Sequence, residues 1–220
     1  MPDAAQLAQD HWNETPLFLS EEERYSTYPW LYDAAEFRKH SGERILEVGC
    51  GTGSDLLQFA KHGAIATGID LTAKHVELAR ERLGDLAVIQ RADMRCLPFA
   101  DGAFDYVYSH GVLMYSDEPE KIVREIYRVL QPGGRFNVHV YAFWSYFALW
   151  RFLRYGTNIK LHLGNSLAPV HVDLYTAPKL RQLFGPRVTI EKHQCKPFEF
   201  LAPWFGWFLV VKGEKAQDIG

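Results

Sequence analysis

The chain has 220 residues, 47% of them apolar and 23% charged. That balance fits a soluble globular protein with enough length for one substantial core, and a single domain over 1–220 is the simplest expectation. A formal net charge of -3 gives no electrostatic reason to expect a nucleic-acid partner. Cys50, Cys96 and Cys195 form no CxxC pair and no metal-ligand cluster, so no metal is expected and the thiols fit a reduced, cytoplasmic protein. The N-terminus lacks the basic and apolar regions of a signal peptide. The most apolar runs, 143–150 and 204–211, fall well short of the ~20 residues that span a bilayer.

Residues 1–40 read as helices and loops, a cap placed before the first strand. From Arg44 to Tyr141 short apolar runs alternate with amphipathic stretches. RILEVG (44–49) reads as a buried parallel strand entering a tight turn, and residues 54–62 as a helix with Leu56, Leu57 and Ala60 on one face. AIATGID (64–70) is a second strand. Thr72 stands at the N-cap of a helix carrying Val76, Leu78, Ala79 and Leu83, which Gly84 stops. AVIQRAD (87–93) and FDYVYSH (104–110) are the third and fourth strands. A helix over 119–130, a PGG turn at 132–134 and a fifth strand at 135–142 follow.

The tail adds a short helix near 178–184. Then come VTIEKHQC and WFLVVKG, two strands with no helix between them, expected to pair as an antiparallel hairpin at the sheet edge. The alternation predicts an α/β, Rossmann-like, seven-stranded and mostly parallel sheet with helices on both faces. Within it, 1–40 would form the cap or lid, 41–142 the cofactor-binding core, and 143–220 the acceptor side.

The strongest chemical signal is EVGCGTG, Glu47 to Gly53, between a predicted strand and a predicted helix. Glycines belong where the chain reverses sharply and its backbone must approach a ligand. The spacing argues against a dinucleotide fingerprint, because the third small position falls on Ser54 when counted from Gly49 and on Leu56 when counted from Gly51.

With Asp70 in TGIDLT, Asp93 and Met94 in RADMRCLPF, and LPFADGAFDYV followed by RVLQPGGRF, the stretch from Arg44 to Tyr141 resembles the class I S-adenosylmethionine-dependent methyltransferases. That resemblance implies S-adenosylmethionine as cofactor and S-adenosylhomocysteine as its product. Asp70 would take the ribose hydroxyls, since a carboxylate accepts two hydrogen bonds at once. Asp93 would take the adenine amino group and Met94 its ring edge, with Leu71 packing on the ring. Gly49, Gly51 and Gly53 would form the cofactor cradle, backbone near Gly49 and Ser109 would hold the methionine amino end, and Glu47 would support the turn from beneath.

The acceptor half is less legible, because methyl transfer by in-line displacement asks mainly for positioning and, for some acceptors, a proton acceptor. His110, directly after the fourth strand, is the candidate base. His139 reads as a satisfied sheet residue, and His171, in a loop, as a candidate of similar standing to His110. Many relatives carry a histidine pair near the positions of Met114 and Tyr115, and this chain does not. A non-catalytic cofactor-binding subunit is therefore the alternative.

Two aromatic segments, YSTYPWLY and YAFWSYFALWRFLRYG, suggest a lid and pocket wall for an aromatic, apolar or amine-bearing small molecule. Tyr25, Tyr28, Trp30, Met114, Tyr115, Tyr141 and Trp144 are its candidate lining. Arg24 or Arg151 could meet an acceptor carboxylate. Arg151 and Arg154 beside aromatics also have the composition of a membrane-surface helix, although a buried lid helix explains the same residues and is preferred.

Overall fold

A computed structural model describes residues 4–16, 19–155 and 172–217. Seven strands form one sheet: β1 (Arg44–Val48), β2 (Ile65–Asp70), β3 (Ala87–Arg91), β4 (Phe104–His110), β5 (Leu130–Tyr141), β6 (Thr189–His193) and β7 (Phe208–Glu214), in the order β3-β2-β1-β4-β5-β7-β6. The first five strands are mutually parallel, and β7 runs antiparallel to both β5 and β6. β1 is buried at four of its five positions, as expected of a central strand covered on both faces.

Helices α4 (Ser54–Lys61) and α5 (Ala73–Leu83) cover one face; α6 (Pro119–Val129) and α8 (Ala177–Phe184) cover the other. Ile45 and Tyr106 pack with the first pair, whereas Leu46 and Val107 pack with the second, because successive strand side chains point to opposite faces. Before the sheet lie α1 (Ala4–Glu14), α2 (Glu21–Thr27) and α3 (Leu31–Ala34). Ser20 and Glu23 close a reciprocal capping box at the start of α2, which fixes where that short helix begins. α7 (Tyr146–Tyr155) follows β5.

Three local expectations need correction. The fifth strand starts at Leu130 and takes the PGG sequence into its length, with a register shift against β4 between Phe104 and Tyr106. The two C-terminal strands do pair antiparallel at the sheet edge, but helical structure, unexpected there, separates them. A 3-10 turn (Glu199–Leu201) and α9 (Ala202–Phe205) lie between them, and Gly206 admits the close return, since a Cβ there would lie 2.6 Å from the Ala202 carbonyl oxygen. Thr72 does precede α5, but its side chain makes no cap; its backbone N–H donates to Asp70 instead, at 2.8 Å. Among the described residues, no helix is long and apolar enough to cross a membrane.

The chain order reverses between β1 and β4, and open α/β sheets bind ligands at the carboxyl ends of strands flanking such a switch. That is where the principal cleft lies.

Candidate active site

The turn after β1 is strapped to β2 by two backbone bonds, from Gly49 N–H and Cys50 N–H to the Ile69 carbonyl, at 2.8 and 2.9 Å. Gly49 and Gly51 both have left-handed backbones, at φ +72° and +53°, but for different ends. A Cβ on Gly49 would fall 2.4 Å from a Val112 methyl, so that glycine lets the loop after β4 close on the turn. A Cβ on Gly51 would meet no atom within 4 Å and would stand in the cleft itself. Gly53 serves packing rather than the cleft: it caps α4 and lies against Leu83 of α5.

Asp70, at the end of β2, holds this turn from the other side. One carboxylate oxygen accepts the Gly51 N–H at 3.0 Å, the other the Thr72 N–H at 2.8 Å, and His75 Nδ1 lies 3.4 Å away. Two oxygens offer about four lone-pair sites, so each keeps capacity for a ligand hydroxyl. Asp93 also lines the cleft. It is gripped by Arg95, whose guanidinium reaches both oxygens at 2.8–3.1 Å and extends to Glu118. Leu71 and Met94 complete this end of the wall.

Glu47 is 3% exposed, and its Oε2 has no hydrogen-bond partner. Burial, reinforced by the Asp55 and Asp70 charges, pushes its carboxyl well above the usual range. Asp55 beside it goes the other way. Burial would raise it, but Arg24 reaches both its oxygens and the Tyr25 and Tyr108 hydroxyls donate to it at 3.0 and 3.1 Å. The two buried carboxyls are thus pushed apart, Asp55 toward the charged form and Glu47 toward the protonated one. The Cys50 thiol is pushed up by burial and stays protonated.

The opposite wall is aromatic: Trp12, Tyr28, Tyr115, Tyr141, Trp207 and Phe208, with His110 among them. Phe208 stacks on His110 with ring centroids 5.0 Å apart, and burial first, then Arg24, lowers His110 to about 3. Other expected contributors lie elsewhere. Tyr25 is held at Asp55, Trp30 donates to Gln194 at 2.7 Å and stacks on His193, and Met114 is fully buried in the core. Trp144 is 71% exposed, and Ser109 spends its hydroxyl on the Val48 carbonyl at 2.9 Å. His171 lies outside the described residues. Trp12, Trp207 and Phe208 carried no local signal of a place in the cleft, being brought in from the chain's first helix and from the start of, and approach to, its last strand. No group of three or more metal-ligating side chains occurs among the described residues.

Residues 46–138 match the family described as a methyltransferase domain. The core thus resembles a class I methyltransferase domain. Over 99 residues the chain is 35% identical to the sterol 4-C-methyltransferase strm-1 of Caenorhabditis elegans, covering 43% of this chain and 30% of that protein. Over 107 residues it is 40% identical to the S-adenosyl-L-methionine-dependent Diels-Alderase iccD of Talaromyces variabilis, covering 44% and 35%. The chain thus spans about a third of the length of these curated relatives. Among solved structures, the [4+2]-cyclase SpnF superposes with a TM-score of 0.69 over 98% of each chain at 20% identity, a likeness of fold alone.

The methyltransferase family implies S-adenosylmethionine as cofactor, and the donor set at the cleft fits it. Gly51 leaves the backbone bare where a ligand would lie, and Asp70 keeps acceptor capacity for a diol. Asp93 supplies an acceptor beside Leu71 and Met94 for a flat heteroaromatic amine.

Proposed function

We propose that this chain transfers a methyl group from S-adenosylmethionine to a small molecule bearing an aromatic, apolar or amine group. The observation that carries the reading is a single continuous cleft that joins the Gly49–Thr52 turn, Asp70 and Asp93 to the wall of Tyr28, Tyr115, Tyr141 and Phe208. When bound, the cofactor supplies an electrophilic methyl on a sulfonium. The chain's own part is to bind and orient both partners and exclude water. Asp70, Asp93, Leu71 and Met94 hold the nucleoside, the glycine turn admits the methionine portion, and the rings enclose the acceptor. His110 takes a proton where the acceptor must lose one.

A sterol methyltransferase among the relatives supports a small apolar acceptor. Incubation with isotopically labelled S-adenosylmethionine and a metabolite extract, with mass identification of the labelled product, tests the reading. A second reading draws on the relative named a Diels-Alderase: the same cleft, with cofactor bound, could fold a polyene against its aromatic wall and close a ring without methylation. Its product would have the mass of its substrate, whereas methylation adds one CH2. Tight binding of S-adenosylhomocysteine with neither outcome would leave a cofactor-binding partner subunit.

A further inference from the structure

His110 and His139 meet across β4 and β5, where the two residues are registered partners on the same side of the sheet. Their Nδ1 atoms are 2.8 Å apart. His139 Nε2 lies 2.9 Å from Asn137 Oδ1, two residues back on the same strand face. Asn137 Nδ2 in turn donates to the Ala34 carbonyl, the end of α3, at 2.7 Å. Asn137 and His139 are both fully buried.

The direction of this chain of bonds follows from its far end. A backbone carbonyl only accepts, so the amide nitrogen of Asn137 must face Ala34 and its oxygen must face His139. His139 therefore carries its proton on Nε2. Burial, with His110, His193, Lys212 and Arg24 adding to it, lowers His139 well below the ordinary histidine value, so the ring is neutral and its Nδ1 is a bare lone pair. Two ring nitrogens 2.8 Å apart share one proton, and it must then sit on Nδ1 of His110.

We propose that Asn137 and His139 are positioning residues, a buried relay that fixes His110, whose ring lines the cleft, as its Nδ1–H tautomer and keeps its Nε2 as the lone pair that accepts a proton from an acceptor O–H. The inference deepens the methyl-transfer reading and rests on it. It also narrows the acceptor class to molecules whose nucleophilic oxygen carries a proton. In the step it serves, that proton moves to Nε2 as the heteroatom's lone pair forms the new bond to carbon, and the carbon–sulfur bonding pair leaves with sulfur. The imidazolium keeps its Nδ1–H bond to His139 and returns the extra proton to water after product release. Trp30, Tyr28 and Phe208 pack around the His110 ring and hold it in place.

The test is long-range 1H–15N correlation spectroscopy on the full chain with S-adenosylhomocysteine bound, near neutral pH, which reads each imidazole's tautomer without turnover. The expected result is a pyrrole-like Nδ1 and pyridine-like Nε2 for His110, with the reverse for His139. An Nε2–H tautomer at His110 overturns the proposal. In His139→Phe, and in the milder His139→Gln, His110 should populate both tautomers. With an O–H acceptor, kcat should then fall by about 10²-fold, the scale of general-base catalysis, with KM and S-adenosylhomocysteine affinity unchanged. An unchanged tautomer in both variants, or a loss confined to KM, also overturns it. The two readings fail separately: absence of methyl transfer with the tautomers as stated removes the function and leaves the relay, whereas methyl transfer with the reverse tautomers removes the relay alone.

Discussion

Arg24 and Asp55 form a two-pronged ion pair at 2.5 Å on each prong, with side chains 13% and 1% exposed. It pins α2 to the first turn of α4 at the edge of the cleft. Removing Arg24 would leave a buried carboxylate without its countercharge, so Arg24→Ala should cost about 3–5 kcal/mol of stability in urea denaturation. Asp55 lies below its ordinary value, so its share of that stability is full above about pH 4 and fades as acid protonates it in the folded state. A loss under 1 kcal/mol at pH 7 would mean that α2 is held by other contacts.

Histidine burial adds an acid sensitivity of its own. His110 and His139 are both lowered in the folded protein, so below about pH 6.5 the unfolded chain binds protons that the native chain refuses. Stability should fall as pH drops from there, by up to about 1.4 kcal/mol per pH unit for each ring, and for His110 the fall continues toward pH 3. His110→Phe should show a shallower slope than wild type between pH 6.5 and 4.5. Parallel slopes would disprove the assignment.

The two glycines should separate under substitution. Gly51→Ala places its methyl in open cleft, so it should weaken S-adenosylhomocysteine binding while costing only the left-handed backbone strain of about 1–2 kcal/mol. Gly49→Ala adds a clash with Val112 to the same strain and should destabilise the fold by clearly more. Calorimetry and thermal denaturation on the pair decide; equal stability losses would contradict the geometry.

Asp70→Ala should weaken S-adenosylhomocysteine binding by about 1–3 kcal/mol and loosen the turn, since it removes the acceptor for Gly51 and Thr72. Arg95→Ala leaves the Asp93 carboxylate in place but ungripped and should weaken binding less than Asp93→Ala does. The reverse order in calorimetry would make Arg95 the direct contact.

The strand and helix alternation was readable because burial on both faces imposes apolar runs, and turns impose glycine at fixed places. The reading weakened wherever a residue's fate depends on a distant partner. Tyr25 and Trp30 looked like pocket aromatics, but their polar atoms are taken by Asp55 and by Gln194, the latter 164 positions away along the chain. His139 looked like a satisfied sheet residue, and it is one; that its bonds run toward His110 depends on an amide orientation set by Ala34. The start of β5 was misplaced because a PGG sequence signals a turn locally, whereas Leu130 before it already pairs with Phe104 and the ladder with β4 resumes at Arg135.

The reversed direction of β7 has a consequence for how such a site can change. Parallel strands bring their trailing ends to the cleft, but β7 brings its leading end, where Phe208 faces Tyr141 across the ladder and Trp207 immediately precedes it. Part of the aromatic wall of the cleft is thus supplied by a segment outside the matched 46–138 region. Substitutions in that returning stretch can reshape the aromatic wall while the Gly49–Thr52 turn, Asp70 and Asp93 stay intact, so the two ends of the cleft can vary separately.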